Sequence, residues 1–461
     1  SGQLASKGIM PSNRAAIVLP NGPEMATAFL SISSYMSAAP LNPSYKLKEY
    51  EFYLQDLMPK IVIVEKDSQN PAVEAAKNLG IEICEIKKID NAPTGIFNLY
   101  DKTANFELAT ENNEALVLHT SGTTSRPKVV PLTNKNIFSS AINISNSLQL
   151  SSQDHCYNIM PLFHIHGLIA VLSSSINAGA SVYASSGFNA LKFLETANKE
   201  SITWYSGVPT MHQAILMRAK KNPKLAEELS LRFIRSSSAS LPPAVFDELK
   251  KIFKTTVIEA YGMTEATHQM TSNPMPPEKQ KAGFVGKPAG PEVCIMDAQG
   301  NKLDTGVDGE VCIRGNNVTN GYENNEEANK TAFINGWFRT GDQGHFDDEG
   351  YLKISGRLKE IINRGGEKVS PLEVDNILME HEAVEQVVTF AVKDNLLGEA
   401  IGVAIVLKSG IDCNETDIKN YARKHLADFK IPKYIRFLEE IPKGATGKLQ
   451  RIGLAEKLGL E

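Results

Sequence analysis

Four short segments of this 461-residue chain carry side chains suited to holding a phosphorylated nucleotide. The run from His119 to Lys128, HTSGTTSRPK, directly follows the apolar stretch EALVL. A strand that opens into hydroxyls around a glycine, with a lysine behind them, can wrap backbone N–H groups and one cation around a polyphosphate. It is not a Walker loop, because Pro127 stands where the second glycine belongs and Val129 where Ser or Thr would meet magnesium. A Ser/Thr/Gly run alone is equally a polar surface loop. The second segment, Glu259 to Glu265, follows TTVI. Tyr261 offers a flat face for a base, Thr264 a hydroxyl for a phosphate and Glu265 a hard oxygen ligand for magnesium, although Thr-Glu also opens many capped helices. The third pairs Trp337 to Asp342 with Gly356-Arg357; Asp342 could accept from both ribose hydroxyls, or serve as a turn residue. The fourth, PKGATGKLQR from Pro442 to Arg451, carries Lys443 and Lys448 on a Gly-rich loop that by itself reads as a solvated tail.

The elements around these segments predict an α/β fold. The runs AAIVLP, PKIVIVEK and EALVLHT read as short buried strands, with an amphipathic stretch after the first that runs to Ala38. SVYASS, ITWYSGVP, LRFIRSSSAS and TTVIEAYGMTEA repeat the pattern, each ending in small polar residues where parallel sheets bind ligands. From about Lys287 the rhythm changes to strands separated by Gly, Asn and Asp turns, an antiparallel segment. After Gly356 comes a helical pattern, two apolar strands, a helix near Thr416 to His425 and a polar tail. The expected architecture is a large N-terminal body of parallel-rich sheets, helices and a β segment over residues 1–358, and a small mobile α+β domain over 359–461.

Composition excludes several classes. With 42% hydrophobic and 22% charged residues the chain is neither disordered nor fibrous, and about three units of ordinary domain size fit its length. The 48 basic and 53 acidic side chains leave a net charge of −5, no global reason to bind nucleic acid or an acidic membrane. The longest apolar candidate, Gly167 to Tyr183, is broken by Ser173, Ser174, Ser175 and Asn177, so no membrane span is expected. Cysteines 84, 156, 294, 312 and 413 are scattered, without CxxC or zinc spacing, and read as reduced thiols of a cytoplasmic protein. The opening GQLASKGI reads as the tail of a helix already under way, so an upstream piece is expected, and a peroxisomal address stays open if a signal was removed there.

The four segments, in this order and spacing, resemble the signature of the adenylate-forming superfamily: acyl-CoA synthetases, peptide adenylation domains and beetle luciferases. The resemblance spans Ala15 to Arg451. It implies an acid–thiol ligase that uses ATP, Mg2+ and coenzyme A, first making an acyl-adenylate and then a thioester. Carried onto this sequence, Lys448 matches the catalytic lysine, Glu265 the magnesium carboxylate and Thr264 its neighbour at the phosphates. Thr120, Ser121, Gly122, Thr123, Thr124 and Lys128 would enclose the β- and γ-phosphates. Ser238, Ala239, Ser240, Glu259, Ala260 and Tyr261 would line the adenine site, with Asp342 and Arg357 on the ribose. Lys359 matches the hinge, and Gly365 and Gly366 the place where backbone approaches the pantetheine thiol, which calls for residues without a Cβ.

The acyl partner is a small carboxylic acid, and the expected pocket is polar. PLFHIHG places His164 and His166, RSSSAS places Ser238, and TEATH places His268 where fatty-acid relatives tend to hold apolar side chains. Imidazoles and a hydroxyl converging on one end suit a second carboxylate, hence a very short diacid. The same segments resemble those of oxalate–CoA ligases of plants and fungi. A medium-chain or aromatic acid, a carrier-loading adenylation module (no carrier domain is expected after Glu461) and a non-catalytic nucleotide binder are the rival readings. Each histidine taken singly could also be a satisfied core residue. One departure stands out: the superfamily has PKG where this chain has PKV. If that glycine uses positive φ, Val129 costs about 1–3 kcal/mol of strain, slows ATP turnover, and its reversion to Gly speeds the first half-reaction.

Overall fold

The computed structural model describes residues 1–120, 127–444 and 447–460. Runs of small and β-branched residues build a first sheet in the order Glu82–Glu85, Ile61–Val64, Arg14–Val18, Ser37–Pro40, Glu114–Thr120 and Lys128–Thr133. It is parallel except for the last strand, which turns back against Glu114–Thr120. Helices Pro23–Ser33 and Pro71–Asn78 each start on a proline, whose fixed φ and missing N–H suit a first helical turn. The amphipathic stretch does not run to Ala38. The helix ends at Ser33, and Ser37–Pro40 is a fully buried central strand that Ser-Ala-Ala-Pro, poor strand formers, did not announce.

A second sheet is ordered Ser181–Ala184, His155–Asn158, Trp204–Gly207, Phe233–Ser236, Thr256–Met263, His268–Ser272 and Lys287–Pro288. Its first five strands are parallel and its last two antiparallel. Register sets Asn158, Ser206, Arg235 and Ile258 side by side across four neighbouring strands, with Gly207, Ser236 and Glu259 one residue further on. The apolar run after His164 forms a π-helix, His166–Ser173, that passes into Ser174–Asn177. π-Turns are uncommon and gather at functional sites.

An antiparallel unit of Glu292–Met296, Gly309–Arg314, Phe333–Ile334, Trp337–Phe346 and Leu352–Arg357 follows, as expected. Its register places Asp342 opposite Arg357. From residue 362 the chain forms its own sheet, Glu367–Val369, Ile362–Arg364, Gly398–Leu407, Val384–Asp394 and Tyr434–Phe437. Helices Pro371–Met379 and Glu415–His425, capped by Ser370 and Asn414, cover a separate apolar cluster that includes Val374, Ile401 and Ile418. The expected α/β body, β segment and α+β end are all present.

Val129 corrects an expectation. It lies in the extended strand Lys128–Thr133 opposite His119, is 7% exposed and packs in an apolar cluster with Leu54 and Val117. It is not among the residues with positive φ, so the β-branched side chain suits its backbone and carries no strain of that kind. Val129 therefore gives no reason to expect slow ATP turnover.

Candidate active site

Asp342, on the strand Trp337–Phe346, is buried at 5% exposure and accepts from two sides. The Tyr261 hydroxyl donates to its Oδ2 at 2.5 Å, and Arg357 Nε lies 3.1 Å from its Oδ1. Burial pushes the carboxyl above its ordinary range, while Arg357 and Tyr261 pull the other way. Tyr261 sits at a bulge in Thr256–Met263, where the chain must pass close to the turn that follows. A Cβ on Gly262 would fall 1.9 Å from the His268 carbonyl oxygen, so only glycine fits. The loop after Phe233–Ser236 is tied to this strand twice: Ser237 Oγ donates to the Ala260 carbonyl and Leu241 N–H donates to Glu259 Oε1. Ala239 and Ser240 are exposed on that loop. Glu259 is 1% exposed, its Oε2 has no partner, and burial raises its pKa to about 8. It thus ties the loop from beneath.

Glu265 lies beside this pair on a single helical turn, Thr264–Ala266, and is also buried. Tyr322 OH donates to its Oε1 at 2.8 Å, and Lys128 Nζ sits 4.2 Å from the centroid of the Tyr322 ring. Burial raises the Glu265 carboxyl, and Tyr322, Lys128 and Arg357 oppose the rise. Thr264 is half-buried on the same turn, and Thr120 faces Lys128 across the antiparallel pair. Ser121, Gly122, Thr123 and Thr124 lie outside the described residues. No group of three or more His, Cys, Asp and Glu able to hold a metal occurs among the described residues. One carboxylate next to a phosphate site is the donor set magnesium takes when nucleotide oxygens and water complete its shell, so Glu265 fits that ion.

Lys448 comes from the other end of the chain. Its loop is pinned by a bridge between Lys443 and Leu449, by Gly444 N–H donating to the Lys448 carbonyl, and by Thr210 Oγ1 donating to the Gly447 carbonyl at 2.8 Å. Thr210 stands in the first turn of helix Pro209–Lys221, straight after the strand that carries Ser206. Burial, then the nearby Arg357, lowers the Lys448 ammonium to about 8, against the pull of Asp342.

Lys448 also acts on His164, His166 and His268. His166 is wholly buried. Its Nε2 lies 2.7 Å from Ser206 Oγ and its Nδ1 3.0 Å from Ser238 Oγ, while its ring centroid is 5.0 Å from that of His268. His164 Nδ1 accepts from the His166 backbone N–H. Burial, the leading cause in each, keeps all three imidazoles neutral. Ser238 and His268 hold positive φ, 74° and 94°, backbone strain of the sort that gathers at ligand sites.

The structure thus brings Lys448, Asp342, Arg357, Tyr261, Glu265, Lys128 and the three histidines into one region. Gly365 and Gly366 sit apart, exposed at the tip between Ile362–Arg364 and Glu367–Val369. Both have positive φ, 62° and 93°, so a two-residue hairpin turn already requires glycine there. Lys359 is exposed, near enough to Lys128 to lower its pKa. Sequence reasoning missed Tyr322, Ser206 and Gln269 and gave no role to Arg235, although a charge inside the buried strand FIRS was a readable signal.

A nucleotide-dependent enzyme with a cationic loop beside a buried polar cluster is what this fold and site define. Residues 1–323 match the AMP-binding enzyme model and residues 373–448 that of the AMP-binding enzyme C-terminal domain. Oxalate–CoA ligase of Arabidopsis thaliana is 46% identical, with 97% of this chain and 89% of that protein covered. The Saccharomyces cerevisiae oxalate–CoA ligase is 42% identical over 97% and 87%. ATP-bound MatB from Rhodopseudomonas palustris superposes with a TM-score of 0.89 at 27% identity, covering 98% of this chain and 90% of that one. The chain belongs to the AMP-binding enzyme family.

Proposed function

We propose that this enzyme joins oxalate to coenzyme A at the expense of ATP. The observation that carries the reading is the set of neutral imidazoles and the Ser238 hydroxyl lying within the field of Lys448, in a chain 46% identical to a protein named oxalate–CoA ligase. One carboxylate oxygen of the acid attacks the α-phosphorus, the bond from that phosphorus to the bridging oxygen breaks, and pyrophosphate leaves. The thiol sulfur of coenzyme A then attacks the activated carbonyl, the bond to the adenylate oxygen breaks, AMP leaves and the thiol proton passes to water. Lys448 bridges the attacking carboxylate and the α-phosphate, so its charge meets negative charge as it builds. Asp342 and Arg357 hold the ribose, Tyr261 the base, Lys128 and Thr264 the phosphates. Glu265 would hold magnesium, which when bound neutralises phosphate charge. His268 and Ser238, the latter backed by His166, present donors to the second carboxylate, and a methyl tail would leave them unpaired.

Residues 359–461 form the small domain of this reading, turning about Lys359 so that the Lys448 loop serves the first step and the Gly365-Gly366 tip the second. Among the described residues no helix is long and apolar enough to cross a membrane. The five free cysteines support a reducing compartment, the cytoplasm first and the peroxisome as the alternative. A panel of formate, acetate, glyoxylate, oxalate, malonate, hexanoate and benzoate with ATP, magnesium and coenzyme A, read by mass spectrometry of the thioester, tests the proposal. Oxalate is expected to give the highest kcat/KM; preference for hexanoate or benzoate would reject it.

A further inference from the structure

Arg235 stands in the middle of the strand Phe233–Ser236 with 0% exposure. A guanidinium so placed is costly unless charge or strong acceptors meet it. Its partners are neutral: Nη1 donates to Ser206 Oγ at 3.3 Å, Nη2 donates to Gln269 Oε1 at 3.1 Å, and Nε has none. Among the described residues it forms no ion pair, and burial is the one influence that lowers it, to about 9, which leaves it charged near neutrality. Asn158, two strands away in the same register row, keeps a buried Nδ2 without a partner, and His268 Nδ1 is likewise unpartnered. Unpaired donors and a cation without an anion share this region with the acyl pocket.

The hydrogen bonds leading out of Arg235 can run in one direction throughout. Arginine only donates, so Ser206 Oγ accepts from it, and His166 Nε2, 2.7 Å away, is the acceptor that satisfies the buried Ser206 hydroxyl proton. With that nitrogen as the acceptor, neutral His166 carries its proton on Nδ1. Nδ1–H donates to Ser238 Oγ at 3.0 Å, and the Ser238 proton, the last in the chain, is left for a ligand. Ser238 is half-buried and is held at positive φ.

We infer that Arg235 is a positioning residue that sets acid specificity: the chain Arg235→Ser206→His166→Ser238 fixes the His166 tautomer and delivers a charge-polarised donor to the second carboxylate of the substrate. The assignment rests on the oxalate reading for the identity of that carboxylate, whereas the direction of the chain does not. Glyoxylate, which has a hydrogen in place of one carboxylate oxygen, is the matched probe.

The experiment compares the unaltered enzyme with Arg235→Met, Arg235→Lys and Ser206→Ala, reading kcat/KM for oxalate and for glyoxylate by pyrophosphate exchange, KM for ATP, and the His166 tautomer by 15N NMR of histidine-labelled protein. Arg235→Met is expected to lower the oxalate-to-glyoxylate ratio on the order of 100-fold, the size of effect seen when a buried charge partner is removed. Arg235→Lys, still a donor-only cation, recovers much of the ratio. Ser206→Ala, which removes a small group and covers the case in which Arg235→Met does not fold, lowers the ratio in the same direction. The unaltered enzyme shows the Nδ1–H tautomer. Equal losses for both acids, an unchanged ratio, or an Nε2–H tautomer would overturn the inference. If the unaltered enzyme uses glyoxylate and rejects oxalate, the oxalate reading falls and Arg235's role in specificity falls with it, while the tautomer still decides the direction of the chain on its own.

Discussion

Lys448 is lowered to about 8 where it docks, from 10.5, by burial and by Arg357. A lysine that must be charged to bridge a carboxylate and a phosphate then becomes the weak point of the first half-reaction as pH rises. With that pKa, about nine-tenths of the free enzyme carries the proton at about pH 7 and about one-eleventh at about pH 9, so kcat/KM for ATP falls about tenfold across the interval. Bound triphosphate brings negative charge next to the ammonium and raises its pKa, so the limb in kcat lies higher than the limb in kcat/KM. The assay is oxalate-dependent exchange of labelled pyrophosphate into ATP, measured at steps from about pH 6.5 to about pH 10. Lys448→Arg provides the control: a guanidinium starts from a much higher pKa than an ammonium and keeps its charge near pH 8, so the variant is slower overall but loses the limb there. A profile for the unaltered enzyme that is flat to about pH 10, or an identical limb in Lys448→Arg, would refute the reasoning, because the titrating group would not be this lysine.

Three further outcomes follow from particular contacts. Val129→Gly removes three buried carbons from an extended strand and adds backbone freedom, so it should cost about 3 kcal/mol in denaturant unfolding and bring no faster adenylation; a stabler or faster variant would restore the strain argument. Tyr322→Phe deletes the hydroxyl that donates to Glu265 and should raise the magnesium concentration for half-maximal exchange by about tenfold, the worth of one hydrogen bond to a charged group; an unchanged requirement would dissociate Glu265 from the metal. Glu259 has its folded pKa raised from 4.5 to about 8, so the stability it contributes is complete below the unfolded value and is lost as pH rises through the folded one. Glu259→Gln should therefore flatten the decline in thermal midpoint between about pH 5 and about pH 8, and an equally steep decline would show that another group sets it.

The motifs that end strands were legible because the chemistry sits where an apolar run stops, and the strands before Thr120, Ser238 and Glu259 could be read from short blocks such as LVL, FI and TVI. Asp342 and Arg357 were legible as candidates for one subsite, but their direct contact is set by the register of two antiparallel strands, which the sequence does not print. Ser37–Pro40 was missed because alanine and proline have poor strand preference and only the neighbouring strands put them there. Val129 was misjudged since a comparison of residue types says nothing of backbone angles, and the strand Lys128–Thr133 supplies an extended φ. The chain from Arg235 to Ser238 joins three separate parts of the sequence, residues near 166, 206 and 235, and it exists only once two parallel strands set Ser206 beside Arg235 and the π-helix brings His166 against them. Gly365 and Gly366 were found for one reason and placed for another: a tight hairpin demands them whatever approaches.

The most direct measurement is a crystal structure of the enzyme with ATP, magnesium and oxalate. The expected result is the adenosine against Tyr261 and Asp342, Lys448 Nζ between the α-phosphate and one oxalate carboxylate, and the other carboxylate within hydrogen-bond distance of Ser238 and His268. Nucleotide bound away from Glu265 and Asp342, or oxalate turned so that neither carboxylate meets Ser238 and the histidines, would contradict it.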